Sequence, residues 1–200
     1  MSDGATRRYQ LIAGACSLLL ITTAVGAFAV DLGSARPDPV PFADTVKLGV
    51  TAETEQASQH RGASIPRVEV FYSQYRYVVG YAGVAQAVSA LDEPGREQQF
   101  GYPLAVYASD YAGRSPRCEN GTLTTDTNPD WVSVTDARFV VGSRASLAGK
   151  SVVVPFSTAA DASAFADSCG GRGVDWAELR RDPPAVPSAA GVKSRLTTGN

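Results

Sequence analysis

The sequence predicts an α+β fold: two ββαβ-type modules in one compact domain, preceded by an N-terminal transmembrane helix or export signal. Three observations carry this. Short aromatic and β-branched stretches alternate apolar with polar residues, the pattern of half-buried strands. Two other stretches place apolar residues at i, i+3, i+4 and i+7, the stripe of a packed helix. The same order of elements then occurs on both sides of a long polar segment, "RSPRCENGTLTTDTNPD", Arg114 to Asp130.

In the first unit, about 67-112, "RVEVFY" and "YRYVV" read as a hairpin turning at Ser73-Gln74. Val84, Ala87, Val88 and Leu91 give the helical stripe, which stops at "EPG", and "PLAVYAS" supplies the next strand. The second unit, about 131-179, repeats this with "WVSV", "ARFVVG" and "SVVVPF" as strands. Its helix carries Ala162, Phe165, Ala166 and Cys169 on one stripe, with Ser157 as the expected cap and Gly170-Gly171 as the stop. A short strand around Val174 to Trp176 closes it.

The chain has 200 residues, 44% hydrophobic and 8% aromatic, enough to bury one ordinary core or two small ones packed together. The net charge is -2 and dispersed, which excludes a basic face for nucleic acid. Residues 1-30 differ in kind. Arg7 and Arg8 precede the uncharged run Leu11 to Val30, long enough to span a bilayer, so residues 11-30 are expected to contact a membrane. Positive charge before the run places the following domain on the extracytoplasmic side of the cell membrane. "AFA" at Ala27 to Ala29 and the imperfect twin-arginine pattern "TRRYQL" fit a cleaved signal, in which case the product is secreted, but the apolar run is longer than a usual signal core and favours the anchor. Cys16 lies inside the apolar run, which continues after it, unlike a lipoprotein cysteine.

Residues 31-43, with the three prolines of "PDPVP", read as a stiff linker. The domain is expected over 44-180, and 181-200, rich in proline and small residues, as a disordered tail.

Few residues offer chemistry. His60 is the sole histidine and stands among Glu55, Gln56 and Gln59, hard oxygen groups that do not suit Cu(I). Outside the membrane run the cysteines are Cys118 and Cys169, open to three readings: a disulfide tying the polar loop to the second helix, independent thiols, or a thiolate metal pair. Asn120 heads "NGT", an acceptor triplet for N-glycosylation and a loop marker. Asp136 and Arg138 are two apart on an expected strand and so share a face. Tyr72, Tyr75, Tyr77 and Tyr81 offer either an aromatic contact surface or ordinary strand packing. "GYAG" lacks the strand-GxGxxG-helix context of a phosphate loop. With no nucleophile, carboxylate pair or metal cluster, the chain is not expected to be an enzyme.

"DWVSVTDARFVVGS", followed by "PF" and "DASAFADSCGG", resembles the C-terminal half of the NosL family, exported copper chaperones and accessory proteins of nitrous oxide reductase. "VFY" and "YASDY", Tyr107 to Tyr111, are similar to its first-half strands, and the resemblance spans roughly Arg67 to Leu179. It implies two ββαβ modules outside the membrane, Cu(I) as cargo, and nitrous oxide reductase or other assembly factors as partners in denitrification. The family's Cys-Gly-Met motif and its later methionine have no counterpart here. "TAETEQASQHRGASIP" and "SRASLAGK" stand in their places, and Met1 is the only methionine. The resemblance therefore carries scaffold and location and transfers no copper ligand. A thiol-redox protein using Cys118 and Cys169, or a degenerate interaction or structural module of the cell exterior, are the readings from other classes.

Overall fold

A computed structural model describes residues 36–48, 63–74, 77–147 and 149–184. The apolar run 11-30, the tail beyond Pro184, His60 and Tyr75 lie outside the described residues. All elements below belong to the unit Asp38–Asn200. Among the described residues no helix is long and apolar enough to cross a membrane.

The hairpin forms as β2 (Val68–Tyr72) and β3 (Val78–Tyr81), paired antiparallel with Val70 opposite Val79. Helix α1 (Val84–Leu91) follows and buries Val84, Ala87, Val88 and Ala90. A second helix, α2 (Arg96–Phe100), leads into β4 (Pro103–Asp110), which pairs with the other side of β2. Val46–Leu48, named β1, adds a parallel edge strand beside β3.

The polar segment is not a plain loop. It contains β5 (Arg117–Glu119) and β6 (Thr122–Thr124), an antiparallel hairpin turning at Asn120 (φ 52°) and Gly121 (φ 81°). Positive φ at both turn residues matches the twist of the flanking strands, and Asn-Gly tolerates it best. "WVSV" also departs from expectation. Its strand β7 (Asp130–Ser133) pairs with β4, so it closes the first sheet, whose order is β1-β3-β2-β4-β7. The second unit's sheet is instead built on β8 (Arg138–Val141), flanked by β11 (Val154–Phe156) and β12 (Arg172–Val174). Between them β9 (Ser146–Leu147) and β10 (Lys150–Ser151) join the hairpin in a small sheet of order β10-β9-β6-β5.

The strand order around the two helices is the same. β2 lies between β3 and β4, and β8 lies between β11 and β12. In each case the first strand is central, with its antiparallel partner from before the helix on one side and the strand after the helix on the other. Helix α3 (Ala159–Cys169) packs on the second sheet. Thr158 caps it, not Ser157: the Thr158 hydroxyl accepts the Asp161 N–H at 3.1 Å. Ser157 is held back because its own N–H donates to Asp110 Oδ1 at 2.8 Å. Trp176, expected in a strand, opens helix α4 (Trp176–Arg181), where the Asp175 carboxylate accepts the Glu178 N–H at 2.8 Å. The acceptor at the cap outcompetes the strand propensity of Val and Trp.

β8 separates two apolar clusters. Phe139 faces one, with Val68, Val70, Val79, α1 and Leu179; its neighbour Val140 faces the other, with Tyr111, Leu123, Phe156 and Phe165. Strand alternation thus welds both units into one fold.

Residues of the expected linker do not stand free as a spacer. The Val40 N–H donates to Glu69 Oε2 on β2 at 3.1 Å, the Arg67 guanidinium lies 4.9 Å from the centre of the Phe42 ring, and a 3-10 turn, Phe42–Asp44, follows. Prolines suppress local backbone pairing, which leaves the segment's remaining N–H to bond across to the sheet.

Candidate functional site

The sequence-derived candidates are Cys118, Cys169, His60 and Asn120. The fold brings the first two together. Cys118 sits mid-strand on β5, half-buried beside the second cluster, and Cys169 ends α3 with 3% exposure. They form a disulfide across a sequence separation of 51, with Cα atoms 5.9 Å apart. The helix delivers Cys169 on its Phe165 stripe, and the left-handed Gly170 (φ 77°) and Gly171 (φ 99°) end the helix there. Gly171 cannot be replaced: a Cβ would lie 2.5 Å from the Val141 carbonyl oxygen. Arg144 fastens the same corner, its N–H donating to the Cys169 carbonyl at 2.9 Å and its guanidinium to the Ser168 carbonyl at 2.7 Å.

Asn120 is exposed at the tip of the β5–β6 hairpin, two residues from Cys118. The electrostatics of this hairpin are local. Arg117 bonds Glu119 at 2.9 Å and Asp126 at 2.7 Å, which holds the Asp126 carboxyl below its ordinary range; all three are on the surface. Asp136 lies in a turn, and Arg138 on β8 faces Asp175 at 3.9 Å, so the shared strand face expected for Asp136 and Arg138 does not form. Tyr72 and Tyr81 are buried, whereas Tyr77 is half exposed.

The residues present do not fit a Cu(I) site. Cu(I) takes thiolate or thioether sulfur and imidazole. Beyond the N-terminal run the sequence has Cys118, Cys169 and His60 to offer. Both cysteines are consumed by the disulfide, and among the described residues no group of three or more His, Cys, Asp or Glu gathers as a metal ion requires.

Comparison with known proteins adds the family. The NosL family model matches residues 57–183. The chain belongs to the NosL family. Among solved structures it is similar to the copper chaperone NosL from Shewanella denitrificans, with 19% identity, a TM-score of 0.53, and coverage of 72% of this chain and 96% of that one. At that identity the likeness concerns the fold. No curated protein matches the sequence. The NosL match takes in both strand-helix-strand units and the disulfide corner.

Two features escaped the sequence reading. The "NG" dipeptide at Asn120-Gly121 is a loop marker in the sequence and the turn of a hairpin in the fold. Glu69 occupies the polar position of an alternating strand, which reads as solvent-facing, yet it is fully buried. The group that covers it comes from Val40, 29 residues upstream, beyond the reach of strand alternation.

Proposed function

We propose that this chain is an exported accessory protein in the maturation of nitrous oxide reductase, assisting copper delivery or assembly of the enzyme on the extracytoplasmic side, and that it works through protein contacts. The observation that carries the reading is the family match over residues 57–183, which takes in every strand and helix from β2 to α4. Location outside the membrane is supported by the charge pattern of residues 1–30, Arg7 and Arg8 before an uncharged run. A non-catalytic role accords with the family and with the dispersed titratable groups.

Protein contact is preferred over a resident copper site because the only two cysteines of the domain close a disulfide. The test is reconstitution of copper-free nitrous oxide reductase with a Cu(I) donor, with and without the full chain. Faster or fuller copper loading, or a stable complex with the copper-free enzyme, is expected. Absence of both effects would overturn the accessory role and favour the second reading, a non-metal-binding interaction module of the cell exterior.

A further inference from the structure

One face of the five-stranded sheet packs on α1, and its other face carries Glu69. By register the residues sharing that face are Gly80 opposite on β3 and Tyr107 opposite on β4. The carboxyl of Glu69 has no exposure at all. Its Oε2 accepts the Val40 N–H at 3.1 Å, and its Oε1 is buried without a hydrogen-bond partner. What covers it is the segment Asp38–Thr45. A Cβ on Gly80 would lie 2.2 Å from Thr45 Oγ1 and 2.6 Å from the Phe42 ring, so the segment descends to the sheet backbone where glycine permits it. Phe42 is also stacked under Arg67, and Thr45 Oγ1 donates back to the Phe42 carbonyl at 2.8 Å.

We infer that Asp38–Thr45 is a strap latched onto the sheet by Glu69, and that the latch is tight when the Glu69 carboxyl is neutral and loosens when it ionises. A buried carboxylate with one donor and one empty oxygen is poorly compensated, whereas the neutral acid costs far less to bury. Burial, partly offset by the Val40 N–H, pushes the Glu69 carboxyl from an ordinary value of 4.5 up to about 7. The charged or titratable groups that share its face of the sheet or lie in the strap are Arg67 just before β2, Lys47 on β1, Tyr107 on β4, and Asp38 and Asp44. The sign follows from linkage. A carboxyl raised in the latched state contributes to latching fully below about 4.5 and loses that contribution as pH rises through about 7. Release of the strap uncovers the sheet face at Glu69 and Gly80, where Thr45 and Phe42 now lie.

Hydrogen exchange on the full chain in detergent micelles tests this, with rates divided by the intrinsic rate at each pH. Protection of the Val40, Asp44 and Thr45 amides is expected to fall on the order of 100-fold between pH 5 and pH 8, while Val70 and Val106 amides in β2 and β4 stay unchanged. In Glu69→Gln the strap amides should keep high protection at both values. Equal strap protection in the parent at pH 5 and pH 8, or a Gln variant that retains the parent's pH response, overturns the latch. A carboxyl-carbon NMR titration of the unmutated chain decides independently of whether the variant folds: Glu69 titrating near neutral pH supports the proposal, and titration in the ordinary carboxylate range overturns it.

Discussion

Cys118 on a three-residue edge strand and Cys169 in the last turn of α3 are covalently joined, so the small sheet and the second helix form one corner. The corner sits directly on the cluster of Phe156, Phe165 and Tyr111. Apolar packing and the cross-link therefore support the same piece of structure.

Closing a loop with a separation of 51 residues restricts the unfolded chain strongly. Replacing both cysteines by serine is expected to lower stability by about 2–4 kcal/mol. Urea unfolding of the oxidised parent and the double variant checks this, and coincident midpoints would show the bond to be energetically idle.

Phe165 is 3% exposed and stacks on Phe156 with ring centroids 5.4 Å apart. Phe165→Ala should cost about 3–5 kcal/mol, as aromatic truncation in a packed core does. The same substitution at Phe100, only partly buried against the first cluster, should cost less. Thermal unfolding of the two variants side by side gives the comparison.

At the start of α3 two adjacent hydroxyls give opposite expectations. Thr158→Ala removes the acceptor of the Asp161 N–H and should cost about 1 kcal/mol. Ser157→Ala keeps the backbone bond to Asp110 and should stay within about 0.5 kcal/mol of the parent. A larger loss at Ser157 than at Thr158 would place the cap one residue earlier.

Gly80→Ala puts a methyl group where Thr45 and Phe42 now lie. The strap must shift, and overpacking of this kind costs about 1–3 kcal/mol. The expected signature is loss of amide protection confined to residues 38–45, with β2 and β4 protection retained; uniform loss would mean that the strap and the sheet unfold together.

Much of the fold was legible because its signals are local. The stripes of α1 and α3 and the β2–β3 hairpin follow from periodicity within a dozen residues. What was misread depends on partners distant in sequence. β7 reads as the opening strand of the second unit, and only its pairing with β4 assigns it to the first sheet. Trp176 carries strand propensity, but the Asp175 carboxylate turns the backbone into a helix. Glu69 looks solvent-facing because alternation cannot reveal a strap arriving from 29 residues upstream. At the candidate site the sequence offered the cysteine pair with its bonding open among three states, and proximity in the fold selects the disulfide.

The most direct test of the central claim is an anaerobic Cu(I) competition titration of the full chain in its oxidised form, repeated after reduction and on the Cys118→Ser/Cys169→Ser variant. The account predicts that the oxidised chain fails to compete for Cu(I) with a tight chromophoric chelator, because its two cysteines are spent on each other and it acts through protein contacts. Tight one-to-one capture of Cu(I) by the oxidised chain would contradict it and require a copper site built from other residues.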